Sequence, residues 1–225
     1  MIVDAEKLAQ FQKAIIEYWQ THGRHHLPWR MTADAWRILL AEVLLRKTTS
    51  AQAAEVYIQL ADFTPQHIKE MDQHILAEML KPLGIYQVRA AQLQRIASDV
   101  VEHGEAALGS DEFLRKLPGV GRYISNAVRC CAFGVPAPAM DTNMIRVMAR
   151  IFGWHSALKR PREDRSLWKR AETLVPADKP REFNWGVLDF GAVVCTYRKP
   201  KCNICPVSSI CIYYETAYLP MSGSL

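Results

Sequence analysis

Apolar residues return every three or four positions through most of this chain, the period of a helix that buries one face. The spacing predicts helices over residues 5–19, 35–61, 73–83, 86–102, 111–117, 123–133, 142–152, 166–174 and 181–194. Glycine and proline punctuate the intervals, as in KPLG, LPGVG, FGVPAP and VPADKP, because neither continues a helix cheaply. Strict apolar–polar alternation with tight hairpin turns, the mark of paired strands, is missing. No internal repeat or low-complexity segment interrupts the pattern. An all-α protein is expected. The pattern breaks at a stiff proline-bearing connection, GVPAPAM (134–140), and again after Val194, where helical periodicity stops. Two helical lobes fit these breaks.

Composition narrows the class without changing it. The 225 residues are 49% hydrophobic and 23% charged, values of an ordinary globular chain long enough for one large core or two small ones. No apolar run is long enough to span a bilayer, and the first twenty residues read as an amphipathic helix rather than a signal peptide. A cytoplasmic monomer with no membrane attachment is expected. The net charge of +5 and basic clusters at LRKTT (45–49) and YRKPKC (197–202) point mildly to an anionic partner, with a solvated basic face as the alternative.

The six cysteines are unevenly placed. Cys130 and Cys131 lie inside an apolar helical pattern and read as buried free thiols. The other four, Cys195, Cys202, Cys205 and Cys211, follow C-x6-C-x2-C-x5-C. A disulfide framework is out of place in an intracellular chain. Structural zinc normally takes two well-separated C-x2-4-C pairs, and only one such pair is present. The spacing favours a [4Fe–4S] cluster, which accepts four cysteines at irregular intervals, while leaving zinc open.

A second motif is the stretch LPGVGRY (117–123). Gly119 and Gly121 permit positive φ and close backbone approach. The N–H groups that open the next helix, from Arg122 onward, have no intrahelical acceptor and form an anion site. A DNA phosphate would fit Leu117, Gly119, Val120, Gly121 and Arg122 without sequence preference; an ordinary helix–helix corner is the alternative.

Placed upstream of the four cysteines, this hairpin resembles that of the endonuclease III and adenine-glycosylase superfamily of base-excision DNA glycosylases. The resemblance extends over almost the whole chain, through LPWR (27–30), EVLLRKTT (42–49), LPGVGRYISNAV (117–128), MDTNMIRV (140–147) and FNWGVLDFGAVVC (183–195). Within that superfamily, ILLAEVLLRKTTS, AETLVP and CTYRKPKCNIC are most similar to the Mig-type, G:T mismatch-specific thymine glycosylases. The resemblance implies a six-helix barrel holding the helix-hairpin-helix (26–135), a [4Fe–4S] cluster domain (1–25 with 136–225), and a DNA-binding cleft between them. The substrate it implies is double-stranded DNA carrying a mismatch.

It also assigns roles. Asp141, eighteen positions after Tyr123, matches the catalytic carboxylate, a role compatible with the helix N-cap that an aspartate there would form anyway. Tyr123 stands where bifunctional members carry the lysine that attacks the sugar. A phenol forms no Schiff base, so a monofunctional enzyme is implied. Glu42 matches the general acid of adenine glycosylases and is a pocket candidate; an exposed or ion-paired glutamate is the plain alternative. Arg46 and Lys47 replace two wedge glutamines and are expected to fill the gap left by an extruded base or to hold the estranged guanine. Arg198, Lys199 and Lys201 are expected to touch phosphate. Three functions remain: thymine or uracil removal opposite guanine, adenine removal opposite guanine or its oxidised form, and a non-catalytic cluster-bearing DNA-binding module. Arg46 and Lys47, and a chain ending soon after the cysteines, weigh against the second; Asp141 weighs against the third.

Overall fold

A computed structural model describes residues 4–222, so the expected domain limits at residues 1 and 225 lie outside the described residues. Helices account for all the regular structure among the described residues. The chain divides into two compact units, one contiguous, His25–Val135, and one built from both ends, Met1–Arg24 with Pro136–Leu225.

The two-part unit begins with α1 (Ala5–His22), capped by Asp4, whose carboxylate accepts the Lys7 N–H at 3.2 Å. Its buried residues, Phe11, Ile15 and Tyr18, face the core of that unit. The contiguous unit contains α2 (Ala35–Leu44), α3 (Ser50–Leu60), α4 (Pro65–Glu70), α5 (Gln73–Leu80), α6 (Tyr86–His103), α7 (Asp111–Lys116) and α8 (Arg122–Phe133). The two-part unit resumes with α9 (Thr142–Phe152), α10 (Arg165–Glu172) and α11 (Pro180–Val193). Beyond α11 the chain runs through short 3-10 turns around the cysteines to a terminal helical stretch.

One expected helix is two. The apolar period runs unbroken over 35–61, yet α2 stops at Leu44 and α3 starts at Ser50. Lys47 has φ of 57°, which no right-handed helix accommodates. Thr49 then caps α3 with a capping box: its hydroxyl accepts the Gln52 N–H while the Gln52 side chain accepts the Thr49 N–H. The box satisfies donors that a continuous helix would have used internally, and this stabilises the break.

In the two-part unit α1 lies along α11. Phe11 meets Phe152 and Phe183 edge to face at 5.1 and 5.7 Å between ring centroids, a favoured aromatic geometry. Asp189 of α11 is fully buried. It accepts the Arg24 backbone N–H at 2.9 Å and Nε at 2.7 Å, so that no charge is stranded in the core. Asn184, also buried, donates to the carbonyls of Ala137 and Pro180 and accepts the Ala139 N–H at 2.7 Å. It fixes the apolar connector that delivers the chain to Asp141.

Candidate functional site

In the contiguous unit α7 and α8 form the hairpin. Asp111 of α7 ties the two helices together, accepting from Ser125 Oγ at 2.6 Å and lying 3.8 Å from Arg129. Leu117 and Val120 are buried and anchor the turn, which is closed by the Val120 N–H donating to the Leu117 carbonyl at 3.1 Å. Gly119 is left-handed, with φ of 75°, as expected. Gly121 is not: its backbone is extended, φ −93° and ψ −177°, so no dihedral freedom is called on there. A Cβ there would meet no heavy atom within 4 Å. Gly121 is the N-cap of α8 and supplies no side-chain oxygen to the first N–H groups of that helix. An anion can therefore approach both the donors and the dipole. Arg122 and Tyr123 follow, half-buried, in the first turn.

Arg46 and Lys47 do not extend α2 as the pattern implied. They form the exposed tip of a five-residue turn between α2 and α3. The Arg46 guanidinium lies across the hairpin: its Nη1 would be 2.2 Å from a Cβ at Gly119, and it donates to Gln92 Oε1 at 2.9 Å. A methyl group at Gly119 would push the Arg46 guanidinium and the Gln92 amide aside. Glu42, half-buried in the last turn of α2, is within electrostatic reach of the buried free thiol of Cys131. That thiol is pushed well above its ordinary range by its hydrogen bond with Cys130, then by burial, with Glu42 adding and Arg30 opposing.

In the two-part unit Asp141 caps α9. Its Oδ1 accepts the Met144 N–H at 2.8 Å and its Oδ2 accepts Asn143 Nδ2 at 2.8 Å. Burial raises its pKa from the ordinary carboxylate value; the hydrogen bonds from Met144 and Asn143 and the charge of Arg162 oppose that shift without cancelling it. Asn143 is itself held, since its Oδ1 accepts Arg146 Nη2 at 2.8 Å. Arg146 reaches on to the Gly191 carbonyl at 2.6 Å and, through Nε, to the Cys195 carbonyl at 2.8 Å. Gly191 lets α11 approach: a Cβ there would lie 2.7 Å from Asn143 Cβ.

Cys195, Cys202, Cys205 and Cys211 line a single pocket, together with Arg150, Tyr214 and apolar residues that include Ile151, Phe190 and Val207. Arg150 organises its mouth, donating to Cys195 Sγ at 3.4 Å and to the carbonyls of Thr196 and Tyr197 at 2.7 and 2.8 Å. Among the described residues no three His, Cys, Asp or Glu side chains are gathered closely enough to hold a metal ion as they stand. The four thiols surround the pocket instead. Burial pushes the Cys205 thiol up to about 12 and raises Cys202 and Cys211 as well. Arg198, Lys199 and Lys201 are exposed on the same loop.

Sequence reasoning missed Arg146 and Arg150, whose backbone acceptors on and after α11 lie more than forty residues away. It also missed Ile85. This β-branched residue is 66% exposed with φ of 46°, a conformation that costs about 1–3 kcal/mol and persists only where the surroundings enforce it. An isoleucine directly after a helix-ending glycine, in LGIY, was the one available signal.

The family model described as HhH-GPD superfamily base excision DNA repair protein matches residues 40–173. A thymine-DNA glycosylase of Aeropyrum pernix is 40% identical to this chain over 220 residues, covering 96% of this chain and 99% of that protein. A thymine/uracil-DNA glycosylase of Pyrobaculum aerophilum is 39% identical over 212 residues, 92% of each. The solved structure of a thermostable thymine-DNA glycosylase superposes with a TM-score of 0.87 at 37% identity, covering 94% of this chain and 98% of that one.

Proposed function

The chain belongs to the HhH-GPD superfamily of base excision DNA repair proteins, and on that premise we propose that it is a monofunctional DNA glycosylase acting on thymine or uracil mispaired with guanine. The observation that carries the glycosylase reading is the Asp141 carboxylate, with each oxygen engaged by one donor at 2.8 Å; the thymine- and thymine/uracil-DNA glycosylases that the chain resembles support the base assignment. As the glycosidic bond breaks, the base departs with the bonding electrons and the sugar becomes positively charged. A fixed anion lowers that barrier. The same carboxylate takes a proton from the water whose oxygen bonds to the sugar carbon; that proton passes to the departing base anion, which restores the carboxylate and leaves a neutral free base and an abasic site. Tyr123 presents a phenol where an imine would need an amine, so the strand stays whole.

A base inside the stack must first be extruded, which is cheapest for a mispair. The hairpin turn 117–121 and Arg122 grip phosphate, Arg46 and Lys47 enter the gap, and Glu42 belongs to the pocket that receives the base. Arg198, Lys199 and Lys201 add phosphate contacts that weaken with salt. Cys195, Cys202, Cys205 and Cys211 fit a [4Fe–4S] cluster: they surround one pocket, and thiols whose burial opposes ionisation deprotonate readily only with a cation to bind. When bound, the group supplies a structural tie for its loop and nothing to the hydrolysis.

Incubation with duplexes holding each single mismatch, followed by alkali, tests the assignment. G:T and G:U duplexes should break at the pyrimidine only after alkali, and borohydride should trap no protein–DNA adduct. Preferred cleavage at adenine opposite guanine would overturn the base assignment. Efficient trapping with strand scission would overturn the monofunctional one, and binding without any excision would make the protein a non-catalytic module.

A further inference from the structure

Among the described residues two that are not glycine have positive φ, Lys47 at 57° and Ile85 at 46°. They lie in different loops of the contiguous unit, one between α2 and α3, the other immediately before α6. Both are exposed, and one side chain is cationic while the other is apolar.

A single guanidinium holds the backbone before each of them. Arg89, in the first turn of α6, donates through Nε to the Gly84 carbonyl at 3.0 Å and through Nη2 to the Arg46 carbonyl at 2.5 Å. Nη1 reaches the Val43 carbonyl at 3.4 Å, in the last turn of α2. The direction of the Arg46 carbonyl fixes the peptide plane that sets φ of Lys47. The Gly84 carbonyl does the same for Ile85. Two strained tips thus share one restraint, and a planar fork of donors is what allows a single side chain to satisfy carbonyls from separate loops. Three residues further along the same face of α6, Gln92 accepts from the Arg46 side chain and steadies it against Gly119. The carbonyls that Arg89 engages would otherwise terminate in loop and helix end with no common partner, and the guanidinium is itself partly desolvated, its pKa lowered first by burial and then by Arg46.

On the premise that the chain extrudes a mispaired base, we propose that Arg89 is a positioning residue that sets Lys47 and Ile85 as two prongs of one duplex-invading device. The cationic prong meets phosphate or the estranged guanine, and the apolar prong fills stacking space that water would otherwise enter. Strained tips relax when their restraint is removed. Arg89 therefore matters for invading the stack and not for gripping the backbone, which the hairpin does.

The test separates these two steps. Wild type, Arg89→Ala and Arg89→Lys, each as the full chain, are titrated with an undamaged duplex and with a mismatch duplex carrying 2-aminopurine beside the mispair. Wild type should brighten the probe on binding, since unstacking relieves its quenching. Both variants should bind the undamaged duplex within about threefold of wild type. Their brightening should fall at least fivefold, and single-turnover excision by about tenfold to a hundredfold, the scale of an ångström-level misplacement. Lysine should not rescue, because one ammonium cannot span three carbonyls. In a Lys47→Gly, Ile85→Gly background, Arg89→Lys should cost little more.

A variant that brightens the probe like wild type overturns the proposal. So does parallel loss of undamaged-duplex binding, brightening and melting temperature in Arg89→Lys, which would make the residue a general brace of the unit. Fluorescence reads unstacking and not excision, so a wild type that removes a different base, or none, sinks the base assignment and leaves this comparison standing.

Discussion

Asp141 shows two opposed forces meeting on one side chain. Burial favours its neutral form, while the Met144 N–H, the Asn143 amide and Arg162 favour the anion, and the balance lies toward a raised pKa. A reaction that needs the anion runs above that pKa and fades below it. The acid limb of single-turnover excision should therefore fall above the ordinary carboxylate range. Asn143→Ala removes a force that lowers the pKa, so the limb should move to higher pH, while the plateau rate falls less than in Asp141→Asn, which should bind mismatched DNA and excise almost nothing. An unmoved limb in Asn143→Ala would mean that another group titrates. The carboxylate was legible in the sequence because its motif is local, MDTN. Its support was not: Arg146 reads as one more cation on an amphipathic helix, and its acceptors at Gly191 and Cys195 lie 45 and 49 residues away.

Among the elements, α2, α3, α9 and α11 carry the lesson. Periodicity placed most helices to within a few residues, since Gly and Pro end them for local reasons. It failed over 35–61, where the apolar period survives a turn that the backbone does not. The signal was present in Thr49 and Gln52, the spacing of a capping box, but a continuous hydrophobic pattern outweighed it. What was lost with that turn was the position of Arg46 and Lys47 as a protruding tip. The close approach of α11 to α9 gives a separate expectation. In Gly191→Ala the new methyl group would stand 2.7 Å from Asn143 Cβ and 3.3 Å from its Cγ, so Asn143 must withdraw from Asp141 or the helices must part. Excision should drop by about tenfold or more with duplex affinity preserved. Wild-type turnover in that variant, measured beside its melting curve, would show the Asp141–Asn143–Arg146 chain to be dispensable.

The whole molecule follows from chain order. Four cysteines around one pocket predict that protein made with ample iron under anaerobic conditions is yellow-brown and carries about four irons per chain; stoichiometric zinc with no iron would refute the cluster. The breaks near residues 134–140 were visible as a proline-bearing shift in composition, whereas the joining of the first helix to the last third of the chain was carried by no local signal, because packing partners such as Phe11 and Phe183 are remote in sequence. That arrangement bears on synthesis. The contiguous unit has all of its own residues as soon as Val135 leaves the ribosome, but α1 must wait for α11, more than 150 residues behind it. At about 5–20 residues per second the delay is roughly ten to thirty seconds. Until then Phe11, Ile15 and Tyr18 have at most the α9 side of their core, such as Phe152, to meet, and the nascent chain presents a greasy helix to whatever chaperone meets it first.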